Sequence, residues 1–149
     1  MLRIAETPFS PADEIDAFLT RVEGAGGVAT FIGKVRGGDA SSLTLEHFPG
    51  VTEGEIAKFE AAARERFDLV DVLIVHRVGS MAPEEPIVLV ATAARHRRDA
   101  FAACDFLMDY LKSEAPFWKK ETTADGARWI EPRAEDREDI ARWRDTRKD

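Results

Sequence analysis

Cysteine is nearly absent from this chain of 149 residues. Cys104 stands alone, so no internal disulfide can form and no Cys-x-x-Cys pair exists for redox or zinc chemistry. Histidine is scarce as well. His47, His76 and His96 lie on separate segments, without the HExxH or similar spacing that metal ligation needs, and the sequence calls for neither a metal nor a cofactor. Long apolar runs are missing: "VLIV" and "IVLVATAA" fall far short of the ~20 residues of a membrane span. The opening "MLRIAETPFSP" has no apolar signal core behind a basic end, so no export signal is expected and the cytoplasm is the expected compartment. An excess of positive charge is lacking too. A formal net charge of -7 argues against non-specific binding to DNA or RNA.

What is present is the composition of an ordinary globular domain, 44% hydrophobic and 33% charged, in a chain long enough for one real core. There is no internal repeat, low-complexity tract or linker. "SPADEIDAFLTRVE" reads as a helix with Ser10 as N-cap, Pro11 just inside, and Ile15, Phe18, Leu19 and Val22 on one face. "GGVATFIGKVRGG" and "SLTLEHF" read as strands joined by the flexible loop "RGGDASS". "TEGEIAKFEAAARERF" opens with Thr52 and Glu55 at capping-box spacing and continues as a helix. Two β-rich runs follow, "VDVLIVHRVG" and "EPIVLVATAA", joined by the turn-like "SMAPEE". A third helix, "RDAFAACDFLMDYLKSEA", carries Phe101, Cys104, Leu107, Met108 and Leu111 at helical spacing. "GARWIEPR" reads as a last strand, and "EDREDIARWRDTRKD" as a marginal surface helix. This order predicts an α+β fold, a mixed or antiparallel sheet covered by helices. We expect a single domain over residues 1–133 and a charged tail over 134–149.

Chemistry-bearing residues cluster at the two ends of the third helix. "ARHRR", residues 94–98, is a positive patch on an acidic chain, where a strand gives way to a helix N-terminus. Such junctions offer backbone N–H groups and a favourable dipole to anions, and arginine adds bidentate hydrogen bonds to phosphate or carboxylate. Simple pairing of these arginines with acids such as Asp99 is the plain alternative. At the other end Lys112 and Lys119 flank "SEAPFW". A lysine beside another cation, desolvated by Phe117 and Trp118, would have a lowered pKa and could act as base or nucleophile. The plain alternative is a lysine-favouring helix C-terminus with Trp118 in the core. Arg97 and Lys112 are fifteen residues apart, roughly 22 Å along a helix, too far to reach one small ligand within a chain. If both clusters serve one site, helix ends of two subunits must meet there, which makes a homodimer the expected form. Arg36 ends "GKVR" beside the glycine-rich loop, which is not a phosphate-binding P-loop. Arg133 is a further strand-end cation. His47, His76 and Cys104 read as structural residues.

Taken together, "TFIGKVR", "LTLEHFPGVTE", "VLIVHRVG", "ATAARHRRDAF" and "MDYLKSEAPFWKKE" resemble the large, catalytic subunit of molybdopterin synthase, in the same order and from about residue 26 to 133. The resemblance implies a sulfurtransferase that inserts two sulfurs into cyclic pyranopterin monophosphate (precursor Z). The sulfur arrives as a thiocarboxylate on the C-terminal Gly-Gly of a small ubiquitin-like subunit. Two catalytic subunits would form a central homodimer, with a small subunit at each outer end of a heterotetramer. By the same resemblance Lys112 and Lys119 are the expected catalytic residues, placed where the partner's tail enters. Arg36 joins their side of the pocket, and His96 and Arg97 from the other subunit hold the substrate with Arg133 assisting. The chain departs from the family pattern at the loop after "GKVR", which is only "GGDASS" where a longer Asn/His-containing stretch is usual. The competing expectation is a non-catalytic dimeric module that docks a ubiquitin-like protein. A third is an enzyme acting on another phosphorylated small molecule.

Overall fold

The central strand β6 (Pro86–Ala94) explains the apolar run "PIVLVATAA": it lies between two neighbours and is buried on both faces. In the computed structural model, which describes residues 1–37, 40–130 and 134–144, β6 pairs antiparallel with β2 (Gly27–Lys34) and with β4 (Leu69–Arg77). The short β1 (Leu2–Ala5) adds to β4 in parallel, which makes this first sheet mixed, in the order β1-β4-β6-β2. A second, wholly antiparallel sheet has the order β5-β3-β7-β8, formed by β3 (Ala40–His47), β5 (Gly79–Met81), β7 (Phe117–Thr123) and β8 (Gly126–Ile130).

The α+β architecture expected from the sequence is present, with its strands divided between two sheets. Helix α1 (Pro11–Arg21) starts as expected, with the Ser10 hydroxyl accepting the Asp13 N–H at 3.3 Å. It covers one face of the first sheet, burying Phe18 completely against Leu73, Val75, Leu89 and Ala91. Burial of such a side chain contributes about 1.5–3 kcal/mol. Helix α3 (Arg97–Ser113) covers the other face through Ala100, Ala103, Cys104, Leu107 and Leu111. Phe101 is not on that face. It lies one step, about 100°, round the helix from Ala100 and is 67% exposed.

Helix α2 (Val51–Arg66) begins two residues earlier than the Thr52/Glu55 spacing suggests. Gly50 stands at the N-cap with φ 85°, and Glu53, not Glu55, returns its carboxylate to the Gly50 N–H. Thr52 is instead buried. Its hydroxyl accepts the Phe48 N–H at 2.9 Å and donates to the Pro116 carbonyl at 3.1 Å. The helix α4 (Ala134–Ala141), with Arg142 and Trp143 after it, is anchored on α3. Ile140 is buried, the Trp143 indole N–H donates to Asp109 at 2.6 Å, and Arg142 pairs with Asp105 and Asp109. Among the described residues no helix is long and apolar enough to cross a membrane.

Candidate functional site

The segment between Lys112 and Lys119 is fixed by bonds that local sequence dictates. Helix α3 ends where the Glu114 and Ala115 N–H groups both donate to the Tyr110 carbonyl, at 2.8 and 3.2 Å. Pro116 cannot continue a helix, and the chain turns around it through a Phe117 N–H to Ala115 carbonyl bond of 2.8 Å. Thr52 holds the Pro116 carbonyl from outside. Phe117 then enters β7 and stacks on the ring of His76, with centroids 4.0 Å apart and planes 19° apart. Lys119 follows two residues later on the same face of β7, opposite Leu45 and Ile130. Trp118 points the other way and is 54% exposed, edge-on to Phe48 and Trp129, so it is not a core residue.

His76 ties Lys112 to this arrangement. Its Nδ1 donates to the Arg77 carbonyl at 2.9 Å, which leaves Nε2 as the acceptor in the neutral ring. Burial, and then the positive charge of Lys112, hold its pKa down at about 4, against the opposing pull of the Arg77 carbonyl. The consequence for stability has a definite sign. Unfolded, the imidazole titrates near 6.5, so between about pH 6.5 and 4 the unfolded chain binds more protons. Stability is therefore full above pH 6.5 and declines as pH falls, by about 2 kcal/mol between pH 7.5 and 5 from this group. Replacing the imidazole in His76→Phe keeps a ring against Phe117 and removes the titration. Urea midpoints at pH 7.5 and 5 should converge in that variant; an unchanged pH dependence would assign the loss to other groups.

Arg36 lies at the same end of the first sheet. The β2–β6 register slips at a bulge between Gly33 and Lys34, and Lys34 opposite Pro86 is the last pair before Arg36. Glycine is required at this approach, because a Cβ on Gly33 would come within 2.7 Å of the Val88 side chain. Arg36, Lys112 and the start of β7 thus gather near the last residues of β4 and the first of β6.

His96 and Arg97 lie at the opposite end. His96 is the N-cap of α3, and Arg95, His96, Arg97 and Arg98 line a recess of about 370 Å³ together with Gly26. The chain can pass there only as glycine, since a Cβ at Gly26 would lie 2.1 Å from the Arg95 carbonyl oxygen. Among the described residues no carboxylate, Asp99 included, lies within ion-pair distance of these three arginines. A second recess of about 410 Å³ adjoins it, lined by Arg97, Arg98, Phe101, Ala102, Asp105 and Trp143. Arg97 and Lys112 occupy the first and last turns of one unbroken helix, and β6 puts its nine residues between Arg36 and Arg95. Within one chain the two cation groups stay apart. Arg133 lies outside the described residues, as do Gly38 and Asp39 of the shortened loop.

Several neighbours of the site were not singled out by sequence reasoning. Arg95 and Arg98 were visible only as part of the "ARHRR" patch. Gly26 acts through a backbone contact that no motif announces, Thr52 was read only as a helix cap, and His76 only as a structural residue of an apolar strand. Cys104 is buried on α3, and burial, with the Asp105 charge adding, pushes its thiol up to about 11, which suits an inert core residue. Among the described residues no group of three or more His, Cys, Asp or Glu side chains is placed to hold a metal ion.

Comparison with known proteins places this geometry in a family context. The MoaE protein family matches the chain over residues 4–114. The molybdopterin synthase catalytic subunit of Caulobacter vibrioides is 54% identical over 145 residues, covering 96% of this chain and 97% of that protein. The corresponding subunit of Ralstonia nicotianae is 52% identical over 146 residues, covering 95% and 83%. Among solved structures, the molybdopterin biosynthesis MoaE protein of Burkholderia ambifaria superposes with a TM-score of 0.84 at 49% identity, over 96% of this chain and 97% of that one.

Proposed function

The chain belongs to the MoaE protein family, and from that membership we propose that it is the sulfur-inserting subunit of a molybdopterin synthase, working on cyclic pyranopterin monophosphate. The observation that carries the reading is the division of cations between the two ends of α3. One end offers Lys112, Lys119 and Arg36 to an incoming anionic tail. The other offers His96 and Arg97, with Arg95 and Arg98, to a phosphate. A homodimer that brings the ends of two subunits together puts a thiocarboxylate and a phosphate in one site. The cations between them offset the repulsion that the two anions would otherwise suffer.

In this reading the C-terminal thiocarboxylate of a small ubiquitin-like subunit enters beside Lys112 and Lys119, which orient it and move protons as sulfur passes to the pterin. The small subunits cap the outer ends of the catalytic dimer in a heterotetramer. Arg36 steadies the tail, His96 and Arg97 of the second subunit hold the cyclic phosphate, and Arg133 assists. No thiol is needed on this chain because the sulfur travels on the partner, in keeping with the buried state of Cys104. The cytoplasm is the proposed compartment.

The test is single-turnover conversion of precursor Z by this protein mixed with a thiocarboxylated small subunit. Dithiolene product, dependent on the thiocarboxylate, supports the reading. Tight binding of the small subunit without product would leave a docking module. Turnover of precursor Z without any thiocarboxylate would point to a different reaction on a phosphorylated substrate.

A further inference from the structure

Arg77 is a charged residue where the fold should have none. It closes β4 on the face that Leu73 and Val75 share with α1, and only 5% of it is exposed. One terminal nitrogen, Nη2, donates to the Ser80 carbonyl at 3.1 Å. The other, Nη1, lies 3.6 Å from Glu85 Oε1, and neither it nor Nε makes a hydrogen bond among the described residues. A buried guanidinium so incompletely paired is poor value as a stabilising element, since a well-packed apolar side chain serves a core as well or better. Its partners therefore point to what it does.

Ser80 lies in β5, and Glu85 closes the turn that joins β5 to β6. The second Glu85 oxygen accepts the Ala82 N–H at 2.5 Å, and the Glu85 N–H returns to the Ala82 carbonyl at 3.3 Å. Glu84 is held at φ 75°, a left-handed backbone that a non-glycine residue adopts only when its surroundings impose it. That turn grips the chain leaving β2. The Val35 N–H donates to the Glu85 carbonyl at 2.9 Å, the Glu84 N–H donates to the Val35 carbonyl at 2.8 Å, and Lys34 pairs with Glu84 at 2.6 Å. The residue after Val35 is Arg36, beyond the bulge where sheet pairing has ceased to define its direction.

We propose that Arg77 is a positioning residue for Arg36, acting through Glu85 and the Ala82–Glu85 turn to fix the backbone from which the Arg36 side chain enters the site. The proposal rests on the assignment of Arg36 to the substrate pocket.

A double-mutant cycle in the single-turnover assay, using the full protein with its thiocarboxylated partner, tests this. Arg77→Lys keeps the charge but loses the planar fork that spans Ser80 and Glu85. It should lower the single-turnover rate about tenfold in the wild-type background, about tenfold again in Lys119→Ala, and less than twofold in Arg36→Ala. Hydrogen exchange of the Val35 and Glu84 amides should quicken in the same variant while the melting midpoint of the core is kept. If Arg77→Lys does not fold, Glu85→Gln enters the same cycle, since it retains an acceptor for Ala82 and removes the pairing charge. Equal losses in the Arg36→Ala and wild-type backgrounds would overturn the positioning role and leave the pocket assignment standing. Full activity of Arg36→Ala alone would overturn the pocket assignment at that residue, and the role of Arg77 with it.

Discussion

A randomly exchanged mixture of Lys112→Ala and Arg97→Ala subunits, each variant nearly inactive by itself, should recover about one quarter of wild-type turnover. The figure follows from symmetry. Random exchange makes half the dimers mixed, and each mixed dimer has two shared sites, one carrying both substitutions and one carrying neither. The geometry behind it is the length of α3, whose first turn holds Arg97 and whose last holds Lys112, roughly 22 Å apart. No rotamer of either side chain closes that gap. The check is to co-refold two differently tagged variants, isolate the mixed dimer, and count product per site against precursor Z and the thiocarboxylated partner. Isolated mixed dimers should give one product-forming site in two. Folded mixed dimers as inactive as their parents would mean that each chain builds its own site, and the shared-site reading would fall.

The helices and the two long buried strands were legible because their signals are local. Ser10 caps α1 as read, and "VLIV" and "IVLVATAA" (the latter apolar but for Thr92) mark β4 and β6, strands buried on both faces. What escaped was set by tertiary contact. β1 has only four residues and exists because β4 offers it an edge. β7 runs through "FWKKETT", a stretch with two lysines and a glutamate that no alternation marks as a strand, and β3 and β8 supply its pairing. The start of α2 moved to Gly50 because Thr52 had a stronger use, bonding Phe48 and Pro116 at once, and Glu53 was left to close the cap.

The site was legible in its cations and opaque in its supports. Runs such as "ARHRR" and "LKSEAPFWKK" announce charge, and a helix of known rise fixes how far apart the charges must be. They do not announce that His76 lies under Phe117, or that a glycine must stand at position 26 for the chain to pass the Arg95 carbonyl. Trp118 misleads in the opposite direction. Its size suggests the core, but strand alternation turns it outward once Phe117 is committed to His76.

Lys119→Ala should lower the single-turnover rate constant by about 10²–10³-fold while leaving the fold and the docking of the small subunit nearly intact. The magnitude is that of losing one positioned charge or proton-transfer group from a closed site. Stability should hardly move, because Lys119 is exposed and its strand is secured by Leu45 and Ile130 on either side. Surface changes of this kind stay within ~0.5 kcal/mol, a shift of about 1–2 °C in a chain of this size. Lys119→Arg separates the two ways in which the residue could act. If its charge alone orients the thiocarboxylate, arginine should restore most of the rate. If Lys119 moves a proton, arginine should not, because the guanidinium does not release one at accessible pH. Wild-type rates in a folded Lys119→Ala protein would remove the lysine from the chemistry and leave it as part of a docking surface, with Lys112 then carrying the reaction alone.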